Sequence, residues 1–186
     1  IYWKTVTGSY LVFSYGDEGK FYFFDPMIYR GLVSFRKGWL IYTPIMTFAI
    51  IGIFMMKSQL IEARQAVVIF LLLNIYIVFS WWCWWYGGSF GQRALIDSYA
   101  ILAIPLASFV QKVWESRIWV RSLVVVLSLF FIWLNIFQTY QYEFESLHYE
   151  GMSQKLYFKQ FGKLDKIEDF DKFLSLPNSH DALHRK

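Results

Sequence analysis

Three long stretches of this chain carry no charged residue: Trp39–Met56, Ala66–Tyr86 and Ser122–Phe137. Each is long enough, or nearly so, to cross a hydrocarbon core roughly 30 Å thick. The composition agrees. Of 186 residues, 56% are hydrophobic and only 17% charged, whereas a soluble domain is about a quarter charged. The sequence therefore predicts an all-α integral membrane protein with about four transmembrane helices. The first span is expected near Trp39–Met56, the second near Ala66–Trp84, and the fourth at Ser122–Phe137, with Ile118 as an alternative start. The third, Ile96–Val110, reaches spanning length if it starts near Gln92; Pro105 is expected to kink or loosen it.

Around these spans the chain divides into an N-terminal interfacial segment (1–38), the transmembrane region (39–137) and a polar tail (138–186). In "DPMIYRGLVSFRKG", Asp25 as N-cap, Pro26 at the first helical position and Gly38 after basic residues predict a short interfacial helix. Met27, Ile28, Leu32 and Phe35 would share its apolar face. In the tail, Ser153 reads as an N-cap with Gly162 as a stop, and Asp165 with Glu168 as a capping box opening an amphipathic helix that ends at Pro177. The last residues, "NSHDALHRK", read as a frayed end.

Four spans put the N-terminal segment, the "YGGSFGQR" loop and the tail on one side. The other side holds Lys57, Arg64, Lys112, Arg117 and Arg121 in two short loops. The positive-inside rule makes those loops cytoplasmic. The Gly-rich loop, the N-terminal segment and the tail are thus expected on the outer face of the membrane. The net charge of +4 is too dispersed to argue for nucleic acid.

In "WWCWWYGGSFGQR", Trp81, Trp82, Trp84, Trp85 and Tyr86 close the second span, at the depth where amphipathic rings favour the headgroup region. Cys83, the only cysteine, forms no internal disulfide and reads as a small apolar residue. Arg93 and Asp97 stand four apart, on one face if helical. They read either as a self-satisfied ion pair or as part of a site. Arg93 can clamp a phosphate with two donors, Gly87, Gly88 and Gly91 admit close backbone approach, and Ser89 and Gln92 add hydrogen bonds. Lys4 and Lys20 are further anion candidates, as are Arg36 and Lys37, although these last two also read as helix-end cations. His180 and His184 have ligand-like spacing but no third partner, so no metal and no cofactor are expected. No P-loop or GxGxxG is present.

The stretches "YWKTVTGSYLVFSYGDEGKFYFFDP", "VSFRKGWLIYTP", "WWCWWYGGSFGQRALIDSYAILAIPLA" and "HYEGMSQKLYFKQFGK" resemble the C-terminal half of bacterial polytopic membrane glycosyltransferases of the GT-C type. These are similar to protein O-mannosyltransferases and aminoarabinose lipid A transferases. The resemblance implies an enzyme that moves a sugar from a polyprenyl-phosphate donor to an envelope acceptor. It implies substrate binding by Arg93, Gln92, Ser89, Asp97 and Lys4. Such enzymes carry their catalytic acid in a first outward loop that no position here matches. With Ile1 in place of Met, the chain reads as the C-terminal portion of a longer protein, inactive alone. Membrane lipids, the lipid-linked donor and the envelope acceptor are the expected partners. The alternatives are non-enzymatic: part of a lipid-linked saccharide transporter, or a small partner-binding membrane protein.

Overall fold

The computed structural model describes residues 1–12 and 15–184. Its α-helices are α1 (Tyr2–Thr7), α2 (Ile28–Val33), α3 (Trp39–Tyr42), α4 (Met46–Met55), α5 (Ile61–Ser80), α6 (Tyr99–Trp114), α7 (Ile118–Glu143), α8 (Gln154–Gln160) and α9 (Ser179–His184). Among the described residues no strand forms; Phe21 and Trp81 make an isolated antiparallel bridge.

Three helical stretches are long and apolar enough to cross a membrane: Ser58–Ser80, Arg93–Trp114 and Ile118–Glu143. At 1.5 Å per residue, the 20 residues of α5 match the hydrocarbon thickness. The first expected span is different. Pro44 breaks the charge-free run into α3 and the ten-residue α4. The break is closed from α7, where Asn135 Nδ2 donates to Tyr42 O at 2.7 Å.

α5 ends at Ser80, four residues before the expected boundary at Trp84. Its last carbonyls have no partner within the helix, and the N-terminal segment supplies two donors. Met27 N–H donates to Phe79 O at 2.9 Å and Tyr22 N–H to Ser80 O at 2.6 Å. This pairing also corrects the expected cap of α2. Met27, not Asp25, holds the N-cap position, and the helix starts two residues later than Pro26. Met27, Ile28 and Leu32 pack on the main core, while Phe35 joins a second cluster with Tyr42, Leu156 and Tyr157.

Gly31 lies so close to α5 that an added Cβ would sit 2.1 Å from the Phe79 ring. Alanine normally favours a helix over glycine by up to about 1 kcal/mol. Here the sign is expected to reverse. Gly31→Ala should cost roughly 1–3 kcal/mol through overpacking against a fully buried ring. The melting temperature in detergent is the measurement; an unchanged or higher value would contradict this packing.

The buried residues of α6 (Leu102, Pro105, Phe109 and Val113) face those of α4 (Phe48, Ala49, Gly52 and Ile53). α7 is mostly unburied: 6% of its apolar window lies inside the protein, against 28% for each of the other two spans. It contacts the rest through Val124, Leu127 and Phe131, and through a polar row at its C-terminal end. In that row Gln138 donates to Tyr157 Oη at 2.7 Å, and Gln141 to Gln160 O and Lys163 O. These bonds seat the tail.

Ser153 caps α8, accepting from Leu156 N–H at 3.1 Å. The expected helix from Asp165 is absent, because the carbonyl of Asp165 and the amide of Ile167 are both taken by the Gln160 side chain. Only a short 3-10 turn, Phe170–Phe173, follows. The end of the chain is helical rather than frayed as far as His184; Arg185 and Lys186 lie outside the described residues. Ala182 and Leu183 of α9 pack on the main core, and Tyr22 Oη donates to Leu183 O.

Candidate functional site

Past Ser80 the chain folds back over the ends of the helices. Tyr86, Gly87 and Gly91 all have positive φ, at 56°, 64° and 56°. That sequence of turns draws Trp82, Trp84 and Trp85 into the protein, where all are buried. The rings meet edge to face, Trp82 on Trp85 and Trp84 on Trp85. Two buried indoles find acceptors across the fold: Trp82 Nε1 donates to Glu18 O, and Trp85 Nε1 to Glu150 Oε2 at 3.1 Å. These three rings face protein rather than the outside of the fold, and form a wall.

Glu150 is presented by the turn after α7. His148 Nδ1 accepts from the amides of Glu150 and Gly151, at 3.2 and 2.9 Å. Burial depresses the His148 imidazole below its usual range, an effect that Glu150 opposes.

Below this wall sits Lys37, 1% exposed. Its ammonium donates to Ser89 O and, at 2.9 Å, to Ser89 Oγ. Burial brings it down to about 7; the charge of Glu150 opposes this and that of Arg93 reinforces it. Beside it, Gln92 is 3% exposed. Its Nε2 donates to Trp84 O at 2.9 Å while Oε1 has no hydrogen-bond partner. Arg36 lies 5.8 Å from the centroid of the Trp85 ring and donates to Ser175 O at 2.7 Å. Burial lowers its guanidinium, with Glu150 opposing and Arg30 adding to the effect. No ion pair among the described residues includes Lys37, Arg36 or Arg93.

A cavity of about 720 Å³ opens over the indole wall. Trp82, Trp84 and Trp85 form one side, Arg30, Arg36 and Asp25 another, and Asn178, Asp181 and Ala182 of the tail a third.

The residues expected from sequence are distributed unevenly around this centre. Ser89 bonds Lys37 and Gln92 bonds Trp84 O behind the indole wall, but neither lines the cavity. Arg93 is exposed at the edge of this centre, close enough to act on the charge of Lys37. Arg93 and Asp97 lie in a 3-10 turn, Arg93–Ser98, where residues three apart align, not four, and no ion pair joins them. Asp97 is exposed. Lys4 sits on α1, where its ammonium donates to Gly8 O at 2.7 Å and lies over Tyr10, both local contacts. Glu150 was missed by the sequence reading, as were Arg30 and the cavity wall from α9. Arg36 and Lys37, which read both as anion candidates and as helix-end cations, fall at this centre, Arg36 lining the cavity and Lys37 buried behind it. His180 and His184 do fall on one helix, with ring centroids 4.5 Å apart, but no three potential ligands converge among the described residues.

No family model, curated protein or solved structure matches the chain.

Proposed function

We propose that this chain is the C-terminal membrane portion of a glycosyltransferase and that its cavity holds the phosphate-linked sugar of a polyprenyl-phosphate donor. The observation that carries this reading is the pairing of the two arginines, Arg30 and Arg36, with three indoles around one cavity at the end of apolar helices. A guanidinium matches a phosphate in charge and in bidentate geometry. Indole faces suit the C–H face of a sugar ring, and the carboxylates of Asp25 and Asp181 suit its hydroxyls. The polyprenyl tail would run down the apolar helix surface into the bilayer.

In this reading a fourth span is built from α3 and α4 together. The helix ends bearing the cavity face the periplasm, and the loops with Lys57, Arg64, Lys112, Arg117 and Arg121 face the cytoplasm. In transfer, an acceptor oxygen bonds to the anomeric carbon, the carbon–oxygen bond to the lipid phosphate breaks, and that phosphate leaves with the electron pair. The acceptor proton passes to a carboxylate supplied from outside this chain. Arg36, with Arg93 at the edge, would neutralise the charge growing on the leaving phosphate. Ser89, bonded to Lys37, and Gln92, bonded to Trp84, stand behind the indole wall outside the cavity lining, and Asp97 and Lys4 stand further out.

The transporter alternative draws on the broken helix at Pro44, since transporters place sites at such breaks. Here the carbonyl freed at the break is taken by Asn135, which favours the site at the helix ends.

The test is binding of undecaprenyl phosphate to the full chain in lipid nanodiscs, read by tryptophan fluorescence. Binding should saturate, and undecaprenol without phosphate should not compete. Arg36→Ala should weaken it at least about tenfold, roughly 1.4 kcal/mol. Equal affinity of Arg36→Ala and wild type, or equal competition by the alcohol, would overturn the assignment.

A further inference from the structure

A second group of aromatic rings lies at the end of α5. Phe21 and Phe23 stack with centroids 5.6 Å apart and planes 10° apart. Phe23 packs on Tyr76 of α5 at 5.8 Å, and Tyr76 Oη donates to Phe23 O at 2.9 Å. Next to them Phe24 is wholly uncovered, at 107% exposure.

This patch is not isolated. The exposed apolar residues of α5 include Ile69, Leu72, Leu73 and Tyr76. Their spacing of three and four places them on one stripe along the helix. Ile77 extends the stripe, and Phe23 joins it at Tyr76. A surface that faces lipid along α5 therefore runs without a break onto the Phe21–Phe24 edge. Aromatic rings at the end of a span gain most at the boundary between acyl chains and headgroups. Three such rings facing water would instead form an exposed apolar patch with no protein cover.

We infer that the Phe21–Phe23–Phe24 edge is seated in the phospholipid interface at the end of α5, and that lipid is its partner. This rests on the reading of α5 as a membrane span. The edge then fixes the depth of the N-terminal segment. Phe24 adjoins Asp25 in the chain, and Asp25 lines the cavity, so the cavity mouth sits at the bilayer surface.

Site-directed fluorescence tests this on the full chain in phosphatidylcholine vesicles. On a Cys83→Ala background, an environment-sensitive dye is placed through Phe24→Cys, with Leu72→Cys and Lys172→Cys as lipid and water references. The Phe24 probe should be quenched by doxyl-labelled lipid nearly as strongly as the Leu72 probe. Its quenching by aqueous iodide should be several-fold weaker than that of the Lys172 probe. Iodide quenching at Phe24 equal to that at Lys172, with Leu72 still lipid-quenched, would overturn the inference and leave the span intact. Iodide quenching at both Phe24 and Leu72 would overturn the span itself. Shielding of Phe24 from both quenchers would show a protein surface, a second copy included, in place of lipid, and would also overturn it. Phe24 is fully exposed, so its replacement does not disturb packing, and Phe21→Cys gives an independent reading of the same edge.

Discussion

Replacing Lys37 with methionine is expected to stabilise the detergent-solubilised protein at pH 6 by on the order of 3 kcal/mol. The folded chain holds this ammonium in a buried position where it titrates near 7, against an ordinary value of 10.5. Below about pH 7 both folded and unfolded chains carry the proton, and the folded state bears the whole cost of a desolvated charge. Between about 7 and 10.5 the unfolded chain still binds a proton that the folded chain has released. Stability of the wild type therefore rises with pH across that window. Methionine keeps the apolar stem and removes the charge, so the rise should vanish. It also leaves the Ser89 oxygens without their donor, which offsets about 1–2 kcal/mol of the gain. Thermal unfolding from pH 6 to 10 is the measurement. A flat wild-type profile, or the same slope in Lys37→Met, would contradict the buried ammonium.

Gly52→Leu is expected to have the largest destabilising effect of any single substitution considered. An added Cβ at Gly52 would lie 2.0 Å from the carbonyl oxygen of Pro105 and 2.6 Å from its carbonyl carbon, with the Cβ of Phe109 at 3.1 Å. The obstacle is backbone, not the end of a flexible side chain. α4 and α6 would have to separate, and overpacking of this kind costs about 3 kcal/mol or more. The buried faces of both helices would open with them, including the stacked pair Phe48–Phe109. Loss of a cooperative melt, or failure to purify as a monodisperse species, is the expected result. Gly31→Ala should be milder, because the Phe79 ring can shift where a carbonyl cannot.

Much of the helical framework is legible in the sequence because hydrophobicity without charge is a local signal. α7 begins at Ile118, as the apolar run suggests, and α6 continues through Pro105. Two boundaries were not legible. Pro44 stands in plain view, but its neighbours are so apolar that the run reads as one span; proline geometry outweighs hydropathy there. The end of α5 is set by donors some fifty residues upstream, Tyr22 and Met27. The centre of the candidate site follows the same division. Ser89 and Gln92 share one loop and could be found together. Lys37 and Glu150 reach that loop only through tertiary contacts, with Trp85 bonded to an acid 65 positions away. No periodicity records such a meeting.

The strapping of the tail across the helix ends has a consequence for biosynthesis. The cavity takes its walls from residues near 30, near 84 and near 180. The indole wall is synthesised long before α9, and Leu183 is the acceptor that Tyr22 awaits. A nascent chain can insert every span and still lack this cavity. The cavity is complete only once α9 has been made and docked, well after the spans that carry the indole wall.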